Sequence, residues 1–158
     1  MEREEILSRI FSFLDKIGIE TEEGPVTGKV FVPGITIKDG RLYYERDAVK
    51  YPGDLLHEAG HIAVTEPSLR STLNGEIPQE RHGEEMAVLV WSYLAAKESG
   101  IPPGIVFHPD GYKGQSDWLL ENFENKVYIG LPLIVWMKMV EQQPGGNVKV
   151  IRWLREGN

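Results

Sequence analysis

The five residues His57-Glu58-Ala59-Gly60-His61 hold the chemistry most legible in this chain. Two imidazoles four positions apart project from the same face of a helix, a little over one turn from each other, and can bind one metal ion together. Glu58 follows the first of them, beside the ligands rather than between them. In this H-E-x-x-H pattern zinc (Zn2+) lowers the pKa of a water molecule towards neutrality, and the carboxylate accepts the proton of that water as it attacks a carbonyl. The chain contains no cysteine, so a metal must be held by histidine and carboxylate, and a thiolate nucleophile is excluded.

A catalytic zinc ion takes three protein ligands and leaves one position open. The residues after His61, IAVTEPSLR, offer no third histidine at short range, which argues against a metzincin arrangement. The next long helical pattern begins near Gly83 and opens with two carboxylates. Glu84 shares a face with Ala87, Trp91 and Leu94, whereas Glu85 shares one with Val88, Leu89 and Ser92. Either can supply the ligand, and Glu84 is preferred. His108 and Tyr112 lie in the loop FHPDGYKG and are candidate hydrogen-bond donors to the oxyanion of a tetrahedral intermediate. His82 is a further candidate for a ligand or a supporting partner.

Several elements must position these groups. Ile6, Leu7, Ile10, Phe11, Leu14 and Ile17 recur at helical spacing before Gly18, which predicts a helix over 3–17. Short β-rich runs follow at 30–32, 35–37 and 42–44, and Lys38-Asp39-Gly40-Arg41 reads as a hairpin turn. Pro52-Gly53 breaks the chain, and Asp54 is expected to cap the helix that carries HEAGH. Further helices are predicted over 83–98, 116–125 and 132–142, with the tail NVKVIRWLREG open to either strand or helix. Trp91, Trp118, Trp136 and Trp153 are expected in the core. The fold class is α+β: one domain over 1–158, a small antiparallel sheet beside several helices, and a zincin-like helix carrying the site.

HEAGH on one helix, with Glu84-Glu85-Met86-Ala87 opening the next, resembles the gluzincin metallopeptidases, whose third ligand is a glutamate. The hairpin leading into the motif, in GRLYYERDAVKYPGDLLHEAGHIAV, is most similar to the compact ImmA/IrrE-type peptidases. The resemblance spans roughly residues 34–96. Matching the family's E-x-x-A run selects Glu84, although Val88 stands where the family commonly has Asn or Asp. It implies a zinc peptidase acting on a peptide or protein, with His57, His61 and Glu84 as ligands and Glu58 as general base. The N-terminal MEREEILSRIF has mixed charges rather than the basic start and apolar run of a secretory signal, so a cytoplasmic location is expected. A non-catalytic zinc-binding module and a zinc hydrolase of small-molecule amides are the rival classes; a purely structural site has no need of Glu58.

The rest of the chain bounds the partners. A net charge of -7, from 17 basic and 24 acidic residues, leaves no positive surplus for a phosphate backbone, so nucleic acid is not an expected partner. The most apolar stretch, 127–140, is too short to span a bilayer and is interrupted by Gly130, Pro132 and Lys138, so no membrane partner is expected.

Overall fold

The computed structural model describes residues 1–28, 30 and 32–157. Among these, the helices are α1 (Arg3–Ile17), α2 (Asp54–Val64), the single turn α3 (Pro67–Arg70), α4 (Glu85–Ser99), α5 (Ser116–Glu124) and α6 (Leu131–Trp136). The strands are β1 (Thr21–Glu23), β2 (Ile35–Lys38), β3 (Arg41–Tyr44), β4 (Val140–Gln142) and β5 (Val148–Val150). This is the α+β architecture expected, with two small sheets beside the helices. Among the described residues, no helix is long and apolar enough to cross a membrane.

Helix α1 forms because its apolar residues recur on one face, and Ile6, Leu7, Ile10, Phe13 and Leu14 are buried. It ends at Gly18, whose φ of 92° lets its N–H and that of Ile19 return to the last carbonyls of the helix. The β2–β3 hairpin turns at Asp39 and Gly40, both at positive φ (50° and 75°), the backbone that a two-residue hairpin loop requires. Its inward side chains Ile35, Ile37 and Leu42 are buried, and α2 packs against both strands.

The three-stranded sheet runs β1-β3-β2, with β1 parallel to β3, so it is mixed rather than antiparallel throughout. The expected strand over 30–32 falls partly outside the described residues; Val32 makes an isolated bridge to Ile35. The helix expected over 132–142 stops at Trp136. Lys138 adopts φ 63°, which ends the helical path, and the chain continues into β4, paired antiparallel with β5.

Helix α4 is the central element. Ala87 through Tyr93, Ala95 and Ala96 are all buried, so it has no solvent face over that span, and α1, α2 and α6 pack around it. Only part of the tryptophan set is core: Trp91 is buried, while Trp118 and Trp136 are 52% and 66% exposed.

The approach of α2 to α4 sets the geometry of the site. A Cβ placed on Gly60 would lie 2.9 Å from Val88 Cγ1 and 3.1 Å from Trp91 Cε3, so the two helices meet where only glycine fits. The face of α4 turned to α2 is therefore that of Val88, Trp91 and Ser92, and three residues before Val88 stands Glu85.

Candidate functional site

The imidazoles of His57 and His61 stand on one face of α2, their ring centroids 5.0 Å apart and nearly perpendicular. Their Nε2 atoms each lie 3.1 Å from a different oxygen of Glu85, which bridges the two rings. Glu58 belongs to the same cluster, with one ligand atom from each of His57, Glu58 and His61 lying within 4.8 Å of the others. Among the described residues neither ring forms an ion pair with it; both Nε2 atoms are paired with Glu85.

Of the two carboxylates that the sequence leaves open, with Glu84 preferred, the structure brings Glu85 to the imidazoles. Glu84 is turned towards Arg155, whose Nη1 donates to it at 3.1 Å. The same guanidinium donates to the carbonyl of Val64, and the Arg155 backbone N–H donates to that of Ala63. Arg70 adds a bond from Nε to the carbonyl of Ile62 and reaches the Arg155 carbonyl from Nη2. Two cations thus satisfy the last carbonyls of α2, where orphan acceptors and the negative end of the helix dipole favour positive charge. Glu84 completes that cluster. Nothing in the sequence pattern marks Arg155, which lies 71 positions from its partner.

Charge and burial oppose each other at the site. Burial alone would raise the Glu85 carboxyl, but the hydrogen bonds and charge of both imidazoles hold it well below the usual carboxylate range. Burial would lower His57, and the Glu85 bond together with the charges of Glu85, Glu58 and Asp54 outweighs it and raises it. Burial raises Glu58, and Asp54 and Glu85 add to this while the two imidazoles oppose it. A carboxyl lifted towards neutrality is a better proton acceptor for water than an ordinary one.

Imidazole nitrogens and a carboxylate are donors of the kind that hold a divalent metal ion. His57, His61 and Glu85 would hold it, with Glu58 free for chemistry. The four residues line a cavity of 480 Å³ whose remaining wall includes Val32, Ile77, His82 and Lys113. His82 Nε2 meets the carbonyl of Ile77 at 3.0 Å rather than His57, His61 or Glu85.

His108 and Tyr112 are not on that wall. His108 Nε2 bonds to Asp54 Oδ1 at 2.8 Å, at the start of α2, and its ring stacks on Tyr51 at 3.9 Å. Asp54 consequently does not cap α2, because its carboxylate is committed to His108; Gly53 precedes the helix. The Tyr112 hydroxyl lies 3.0 Å from His57 Nδ1, on the opposite edge of the ring from Nε2. Neither residue lines the cavity that holds His57, Glu58, His61 and Glu85. Tyr112 and Lys113 hold φ values of 57° and 53°, a conformation that costs non-glycine residues about 1–3 kcal/mol each and that clusters at functional sites.

Comparison with protein-family models, with curated proteins and with solved structures finds no significant match.

Proposed function

We propose that this protein is a metal-dependent hydrolase of the H-E-x-x-H class, with His57, His61 and Glu85 as ligands of a zinc ion and Glu58 as general base. Within that class we propose a peptidase, on the resemblance of the HEAGH helix and the carboxylate of the following helix to the gluzincins. The observation that carries the reading is the convergence of both Nε2 atoms on the two oxygens of Glu85, with Glu58 in the same cavity. The ligand lies one residue later than the family's E-x-x-A run selects.

Bound zinc would supply a Lewis acid that polarises the scissile carbonyl and acidifies the attacking water. Glu58 takes the proton from that water as its oxygen bonds to the carbonyl carbon, and returns a proton to the amine nitrogen as the C–N bond breaks. Glu85 supplies negative charge to the ligand set. Val32 and Ile77 give the cavity apolar walls against which a substrate side chain can pack, and its volume falls in the range of ordinary ligand sites.

The test is metal analysis of the purified protein joined to a peptide-library digest. About one zinc per chain and zinc-dependent cleavage are expected. A folded protein that takes up no zinc when the metal is supplied overturns the site, and zinc binding without cleavage of any peptide overturns the peptidase.

A further inference from the structure

The segment from Phe107 to Ser116 is tied down at several points. His108 is bonded to Asp54 and stacked on Tyr51, whose hydroxyl donates to Asp110. Ser116 Oγ donates back to the carbonyl of His108, and the Tyr112 ring packs on Phe107 at a centroid distance of 5.0 Å. These contacts hold Tyr112 and Lys113 in left-handed backbone, and the product of that conformation is a phenol oxygen 3.0 Å from His57 Nδ1.

We propose that Tyr112 is a positioning residue for His57, fixing the rotation and tautomer of the imidazole so that Nε2 presents its lone pair to the metal. The inference rests on the metal site proposed above. An imidazole without a partner on its second nitrogen turns about its side-chain bonds and exchanges tautomers, and a hydrogen bond there fixes both. A phenol suits the task because its oxygen both donates and accepts. When Nε2–H donates to Glu85, the Tyr112 hydroxyl donates to Nδ1. When Nε2 is a ligand, Nδ1–H donates to the Tyr112 oxygen. The ring is held in either state, and no charge is added beside Glu58. The loop therefore acts on the site from behind: Asp54 and His108 secure it to the start of α2, three residues before the histidine it steadies.

The variant Tyr112→Phe keeps the ring that packs on Phe107 and removes the hydroxyl. Zinc affinity, measured by competition with a chromophoric chelator, is expected to fall by about 10- to 100-fold, while the metal-free protein, which loses one hydrogen bond, melts only about 2–4 °C lower. Affinity within about twofold of the parent overturns the inference and leaves the metal site standing, since supporting partners ordinarily matter more than that. A parent protein that binds no zinc removes both, and this is visible before any variant is compared. A second measurement does not depend on the variant folding: in a long-range ¹H–¹⁵N spectrum of the zinc-loaded parent, His57 is expected as the Nδ1–H tautomer with a proton protected from exchange. A Nε2–H tautomer, or a Nδ1 proton in fast exchange with water, overturns the proposal.

Discussion

Gly60 links the packing of the core to the geometry of the site, and Gly60→Ala separates the two effects. In a helix interior alanine is favoured over glycine by about 1 kcal/mol. Here its methyl carbon would stand 2.9 Å from Val88 Cγ1 and 3.1 Å from Trp91 Cε3. Both neighbours are stiff, one a β-branched side chain in a helix and the other a buried ring, so α4 must retreat by about 0.5 Å to restore ordinary contact. Overpacking of this kind costs about 1–3 kcal/mol. The net expectation is a loss of about 1 kcal/mol, or about 2–4 °C in the melting temperature of the metal-free protein.

The same retreat carries Glu85, one turn before Val88, away from the imidazoles by a distance comparable with the tolerance of a ligand set, about 0.5 Å. Zinc affinity should fall along with stability. Adding Val88→Ala removes the nearest obstructing atom, so the double variant should be more stable than the sum of the single losses predicts, by about 0.5–3 kcal/mol. A melting temperature raised by Gly60→Ala with undiminished zinc affinity would refute the reasoning, because it would mean that α2 and α4 have room to spare.

Glu85→Ala is expected to lower zinc affinity sharply, since one of three protein ligands is lost, while Glu84→Ala leaves it within a few-fold of the parent; the reverse order in a chelator competition would restore Glu84 as the ligand. Glu58→Gln should keep about one zinc per chain and abolish hydrolysis, because an amide cannot accept the proton of water; activity close to the parent on the same peptide would remove Glu58 as the base. Arg155→Met should destabilise the fold by about 2–4 kcal/mol in denaturant titration, because the α2 carbonyls and the half-buried Glu84 lose their cation; a change below about 0.5 kcal/mol would mean that the cluster is solvated.

The features legible in the sequence were those in which one short segment states its own environment. Helix α1 shows its buried stripe, Asp39-Gly40 shows its turn, and HEAGH shows two histidines on one face. Strand β1 gave no such signal, because Thr21-Glu22-Glu23 are all exposed and are ordered by pairing with β3 rather than by burial. The end of α6 was hidden for a different reason. Leu131 to Gln142 carries no glycine, and the left-handed turn that ends the helix is taken by Lys138. Glu84 and Glu85 could not be separated by periodicity, since α4 is apolar on every side and its amphipathicity says nothing about which face meets α2. The usable signal was small size: Gly60 on α2, with Ser92 seven residues after Glu85 on the facing helix.

The choice between the two carboxylates is a single decision made by two partners at once. Consecutive helical residues diverge by about 100°, so Glu84 and Glu85 cannot both face the imidazoles. Turning α4 to bring Glu84 to the rings would remove it from Arg155, whose side chain is only 8% exposed and would retain Glu66, at 3.5 Å, as its carboxylate partner. It would also rotate Val88 and Ser92 off Gly60 and open the tightest contact between the helices. The arrangement observed satisfies the guanidinium, the α2 carbonyls, the close helix packing and both Nε2 atoms together. Arg155 holds Glu84 at the end of α2 in the same rotation of α4 that brings Glu85 to both imidazoles.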